Sequence, residues 1–530
     1  MPVEADATAL HVYNMPKKGV NLFVEKSEIN ENEAVKTTNM FWRDGLQKRR
    51  GYAKFETDQV ISSKKVTGIH RFYYGTASRQ TLSAAGTVVA YHNGTTWANA
   101  KTGLTDSSQV LFETWGALDK LYVANGADAP FSWDGSSAAA LTGLGGDVVQ
   151  FLSYQDRLLY ISNSQLGGLG WSASFVDNSW KSPSDTGVAP DTKLNGMVIH
   201  AAQVSDAGLK AKVLLAGANG MYLFSGSDLR VPSTSGDYKI DSLATRVGCE
   251  SPLTMQWTPA GTLWLGSDKQ VYILPYDSLT PVPVGHKITA EGNKDEDGLE
   301  SIPAAQMKNA SAVYHDGFYK LSIAASGSSV NAQQYWLDIA RLERDDNRFW
   351  GPWYGPMKGM NFHGQTVLSG PGDNGEWYGG ESNASTGAFV YEAGQAGTFA
   401  DNGSAMAIEF QSFYNSLSVQ TLNKVLHKLE IELLSTSGSY NIDYFDTIGK
   451  IKNGDVLSLV DDTLQWGSGL WGAFKWQSTG PSREQFPIDP AIHCKYLSLL
   501  IKFTSSTEVK LYKIMVEELQ QHDPLGGIEQ

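Results

Sequence analysis

Apolar and polar positions alternate along this chain in short runs, and Gly, Asn, Asp or Ser cut nearly every run. Short runs rich in aromatic and β-branched residues, with small polar residues between them, predict many short antiparallel strands. Long helical periodicity is nearly absent. The turns are specific. Asn93-Gly94, Asp134-Gly135 and Asp316-Gly317 each sit between apolar flanks, as two-residue hairpins require, because both central positions take positive φ.

The runs stack into a loose repeat. "GIHRFYYG", "GALDKLYVANGADAPFSWDG", "SYQDRLLYISNSQLGGLGWSA", "KVLLAGANGMYLFSGS", "PAGTLWLGSDKQVYILP", "YHDGFYKLSIAASGSSVNAQQYWLDIA" and "GDNGEWYGGESNASTGAFVYEAG" each begin such a unit. Each reads as strand, small-residue turn, strand, with an aromatic near its end. A spacing of about 40–60 residues fits the blade of a β-propeller. The expected fold is all-β: a β-propeller of about six to seven blades over residues 61–398, with Trp133, Trp264 and Trp336 packed between blades. Beyond it, "AIEFQSFYNS", "KVLHKLEIELLS", "GSYNIDYFDT", "KYLSLLIKFTS" and "VKLYKIMVEEL" read as longer strands and predict an antiparallel β-sandwich-like domain over 399–530. Residues 1–60 read as an N-terminal arm. Its one modest helix candidate is "SEINENEAVKTTNMFW", with Ser27 or Asn30 as N-cap.

Composition narrows the classes. The chain has 530 residues and a formal net charge of −14, which argues against non-specific DNA affinity. Cys249 and Cys494 are the only cysteines, so no disulfide framework is expected and the compartment is reducing. No signal peptide and no membrane span are expected. The sequons at Asn93, Asn309, Asn383 and Asn402 read as turn chemistry.

Catalytic constellations are missing from the sequence. There is no nucleophile elbow, no H-E-x-x-H and no phosphate-binding loop. Paired carboxylates of a glycosidase would have to come from residues such as Asp119, Asp156, Asp268 and Asp316, which read as turn residues. The expectation is therefore no enzyme and no cofactor. Asn293, Asp295 and Asp297 in "EGNKDEDGLES" imitate the first half of a calcium loop, but Ala304 stands where a bidentate Glu is needed. That acidic loop is also the candidate to line or gate a bore. Phe349, Trp350, Trp353 and Tyr354 suit core packing better than sugar stacking.

"WRDGLQKRRGYAKF", from Trp42 to Phe55, carries five basic residues and one acid. As a DNA patch it stands alone; as an assembly contact it offers Lys48, Arg49 and Arg50. The stretch "KKGVNLFVEKSEINENEAVKTTNMFWRDGLQKRRGYAKF" resembles the opening of tail nozzle or hub proteins of short-tailed bacteriophages. The matching positions are Glu33, Asn39, Gly45, Arg49, Gly51 and Tyr52. Gly248, Cys249, Ser251, Val271 and Tyr272 match a second recurrent segment of that family. The resemblance implies a propeller-bearing virion subunit in a ring, a hexamer by analogy. Its partners would be a head–tail adaptor, a fibre or tip protein, and DNA that passes without sequence-specific binding. Such a protein is assembled in the host cytoplasm and resides in the virion tail. The rival is a carbohydrate-binding or glycan-degrading propeller acting as a receptor-binding protein.

Overall fold

The computed structural model describes residues 8–519 except 77, 182–189, 204–208, 227–237, 294–295, 346–347, 369–372, 374, 417–423, 435–437, 448, 460–481 and 495. Seven four-stranded antiparallel sheets follow one another along the chain. They span residues 66–102, 111–140, 148–181, 194–242, 256–283, 311–358 and 362–393, and are called blades 1 to 7. The first strands of consecutive blades touch in a closed ring, with Phe362–Leu368 of blade 7 returning to Val66–Tyr74 of blade 1. This is a seven-bladed β-propeller whose innermost strands surround an axial channel.

Aromatic filler between flat sheets holds the blades. Trp133 packs with Phe72 and Leu82 of blade 1, Trp264 with Leu214 and Leu223 of blade 4, and Trp336 with Phe362 and Trp377 of blade 7. All three are buried, as the sequence pattern predicts.

Blade 7 is closed by a strand from the other end of the chain. Tyr52–Lys54 pairs antiparallel with Val390–Ala393 as its outermost strand. This joins the start of the propeller segment to its end and leaves no gap in the ring.

Two stacked sheets form the second domain. One runs Met40–Trp42, Leu46–Lys48, Lys510–Leu519, Lys424–Leu434 and Ser482–Cys494, with Thr8–Tyr13 also paired to Lys510–Leu519. The other runs Ala34–Thr38, Met406–Ser412, Ser498–Ser505, Gly438–Asp446 and Gly449–Leu459. Tyr13, Met40, Leu46, Ile431 and Ile514 meet Ile408, Phe410, Ile442 and Ile501 in one buried core. The expected sandwich is there, but four of its eleven described strands come from the first fifty residues.

The N-terminal segment is thus not a separate arm over 1–60. Nor does it hold the expected helix: Lys26–Glu28 is a single 3-10 turn and Ala34–Thr38 is a strand. Val35, Thr37 and Thr38 are β-branched and buried on a sandwich sheet, so tertiary burial overrides the capping signal at Ser27. Two of the expected hairpins also differ. Asp316-Gly317 has positive φ at both positions. At Asn93 and Asp134 only the following glycine does, and the side chain instead accepts backbone N–H groups two and three residues on. These are Asx turns inside longer loops.

Candidate functional site

Two places concentrate chemistry: the joint between propeller and sandwich, and the mouth of the axial channel.

The joint gathers the residues of the opening basic stretch. Lys48 ends a sandwich strand, Tyr52 begins the closing strand of blade 7, and Arg49 lies between them with no exposed surface. Its guanidinium donates to both carboxylate oxygens of Asp401 at 2.8 and 2.5 Å, to Asn39 Oδ1 at 2.9 Å and to the Lys358 carbonyl. A planar fork of donors matches a carboxylate in this way and a point charge does not. Asn39 is held at φ +59 and also accepts the Lys358 N–H. Lys48 donates to the carbonyls of Ser505 and Thr507 at 2.7 and 2.8 Å. Burial, then the neighbouring Arg49, lowers its pKa to about 8, with Asp401 opposing. Gly51 has its α-carbon so close to Ala400 that an added Cβ would lie 2.0 Å from that carbonyl oxygen, so only glycine fits. Of the three proposed assembly contacts, Lys48 and Arg49 are therefore committed inside the chain, and Arg50 alone is exposed, donating to the Gly394 carbonyl at 3.1 Å.

On the other side of the joint Glu33 pairs with Lys287 at 2.7 Å and accepts from Asn21 and Asn30. Burial pushes its carboxyl up, but Lys287 and the amide donors together hold it below the usual range. The acidic loop belongs here too. Gly292 and Asn293 donate to the Leu22 carbonyl, and Glu296 pairs with Lys36 at 2.9 Å. These backbone hydrogen bonds and this ion pair face the N-terminal segment rather than a bore. The calcium reading fares no better. Asn293 is buried, Asp297 accepts from Gln333, and Asp295 lies outside the described residues. Among the described residues no group of three His, Cys, Asp or Glu side chains is placed to hold a metal ion.

The carboxylates suggested for a glycosidase do not converge. Asp119, Asp156 and Asp316 sit in first-to-second-strand turns of blades 2, 3 and 6, while Asp268 lies at the opposite end of blade 5, accepting from Tyr272. Asp316 pairs with Arg43. Phe349, Trp353 and Tyr354 are buried in packing, and Trp350 sets its ring edge against His286 at 4.3 Å.

The channel and its mouth escaped the sequence reading. Loops entering the first strands and loops between second and third strands share one end of the propeller. A cleft of about 370 Å³ opens there among blades 1, 2, 6 and 7, and another of about 400 Å³ among blades 2 to 6. Lys65 and Asn309 line the first, Lys308 and Glu250 the second. Further in, titratable side chains stand on the innermost strands. His70 meets Thr114 Oγ1 at 2.8 Å and is lowered to about 4 by burial. Glu113 accepts the Ser153 N–H at 2.8 Å, and burial raises its carboxyl to about 8 against that hydrogen bond. Burial thus favours the uncharged form of both Glu113 and His70 on the innermost strands. Four of the ten histidines, His70, His200, His315 and His363, fall on first strands, a regularity visible only once blades are aligned.

Fold and site define a seven-bladed propeller clasped to a β-sandwich by the chain's own beginning. No family model and no curated protein matches the chain. Among solved structures it is similar to the BBS1 N-terminal domain in complex with ARL6 (TM-score 0.37, 11% identity, 66% of this chain and 98% of that one). It is also similar to Trypanosoma rangeli sialidase (TM-score 0.26, 11% identity, 98% and 97%). A third is an exo-β-1,3-galactanase from Phanerochaete chrysosporium (TM-score 0.24, 11% identity, 69% and 94%). The last two correct the expectation that the chain is not an enzyme: the similar structures include a sialidase and an exo-β-1,3-galactanase. At this identity the likeness reaches the fold alone and assigns no reaction.

Proposed function

We propose that this chain is a structural subunit of a short-tailed phage tail, a hub or nozzle. It would form a ring of six below the head–tail adaptor, seat a fibre or tip, and extend the conduit through which DNA passes without base-specific contact. The observation that carries this reading is where the resembling residues lie. Glu33, Asn39, Arg49 and Gly51 are the ion pairs, turn and close approach of the joint. Cys249 and Ser251 tie blades 4, 5 and 6 together, Ser251 donating to the Ala310 carbonyl at 2.6 Å. The resemblance therefore falls on the residues that fix two domains as one rigid piece, which is what a load-carrying subunit needs. A net charge of −14 suits a wall that DNA must pass without sticking. Electron microscopy of the purified protein, alone and with the adaptor, tests it. Six-fold rings with a bore wide enough for a duplex are expected, and monomers at every concentration in both samples would overturn it.

The polar mouth of the propeller channel favours a second reading, a carbohydrate-binding propeller acting as a receptor-binding protein. Amides and hydroxyls dominate that mouth, as sugar hydroxyls require for paired donors and acceptors.

A further inference from the structure

At the channel mouth Lys64 and Lys65 line the first cleft, and Lys308, next in sequence to Asn309 of that cleft, lines the second, in a chain that is otherwise acidic. Lys64 is paired with Asp106 at 2.5 Å. Lys65 is not: its amine reaches only the neutral Asn309 Oδ1, at 3.2 Å. Lys308 is exposed on the rim of the second cleft, and among the described residues no carboxylate lies within ion-pair distance of either. Burial, and after it the charge of Lys308, lowers the pKa of Lys65, with Asp106 opposing. Two ammonium groups thus repel each other across a cleft, one of them half-buried. Around them stand groups that suit hydroxyls. Asn309 and Gln306 bond each other at 2.6 Å, Ser107 and Asn383 line the first cleft, and Gln109 Nε2 is buried beside the second without a hydrogen-bond partner. The volumes fall in the range of about 300–1,000 Å³ that holds small ligands.

We propose that the mouth of the axial channel binds an acidic saccharide, its carboxylate between Lys65 and Lys308 and its hydroxyls on the surrounding amides and serines. A carboxylate there relieves the repulsion between the two lysines and gives the half-buried amine the counter-charge it lacks. The sugar hydroxyls meet the amides and hydroxyls of Ser107, Asn309 and Asn383 that line the first cleft. The inference rests on the glycan reading of the mouth and adds the charge to it; it is independent of whether the chain forms a ring.

Calorimetric titration of the full chain with galacturonate, galactose and inorganic phosphate tests it. Galacturonate is expected to bind at least ten-fold more tightly than galactose or phosphate, and to weaken as salt rises. Lys65→Met is expected to remove that preference, and Lys308→Ser, at an exposed position, to do the same without risk to folding. Equal binding of galactose and galacturonate would overturn the acidic preference while leaving the glycan reading standing. Phosphate binding as tightly as galacturonate, or no binding by any of the three, would overturn both.

Discussion

The joint and the channel mouth both gather cations and carboxyls, and they treat them in opposite ways. At the joint every charge has its partner within the chain: Arg49 with Asp401, Lys48 with two carbonyls, Glu33 with Lys287. At the mouth Lys65 has one neutral amide, and on an innermost strand Glu113 has one backbone N–H. Buried charge that is fully satisfied fixes structure, whereas polar groups left short of partners mark a place where something else binds. Sequence composition does not distinguish the two, because "QKRR" and "SKK" look alike until the partners are known.

The sharpest break of this comparison is Arg49→Met. It takes from Asp401 the buried guanidinium that donates to both of its oxygens and from the Lys358 carbonyl one donor, and a loss of about 3–5 kcal/mol in denaturant unfolding is expected. Lys48→Met removes a buried donor from the Ser505 and Thr507 carbonyls, the second of which keeps the Ser505 hydroxyl, and is expected to cost about 1–3 kcal/mol in the same assay.

The acids give opposite pH dependences. Glu33 has a lowered folded pKa, so its contribution is present above the unfolded value of about 4.3 and is lost as pH falls through the folded value. Glu113 has a folded pKa raised to about 8. The folded state then holds the extra proton between about 4.3 and 8, and stability falls as pH rises through that window. Glu113→Gln is therefore expected to gain on the parent protein steadily from pH 5 to pH 8, and Glu33→Gln to lose at pH 7 and to lose progressively less as pH falls below about 4.3. Unfolding curves across pH read both. The smallest effect belongs to Lys65→Met. Removing a half-buried charge repelled by its neighbour is expected to change stability by no more than about 0.5 kcal/mol, or to raise it. A loss as large as that of Lys48→Met would move Lys65 to the structural side of the comparison.

Much of the fold was legible because blades are local. A strand–turn–strand unit with an aromatic such as Trp133 or Trp264 is written in contiguous residues. What could not be read was assembled across the chain. Tyr52–Lys54 pairs with Val390–Ala393, and Thr8–Tyr13 with Lys510–Leu519; neither pairing leaves a local periodicity. The same holds for the mouth, where Lys65 and Asn309 stand 244 residues apart. The basic stretch was conspicuous in sequence, yet its meaning lay in Asp401, which no spacing rule connects to it.

The central claim is that the run from Leu46 to Lys54 is an internal clasp that makes sandwich and propeller one unit. Hydrogen exchange of the parent protein and of Arg49→Met tests it directly. The account predicts that Tyr52–Lys54, Val390–Ala393 and Lys510–Leu519 lose protection together in the variant while Lys120–Ala124 of blade 2 keeps its own. Unchanged protection across all three strands would contradict it.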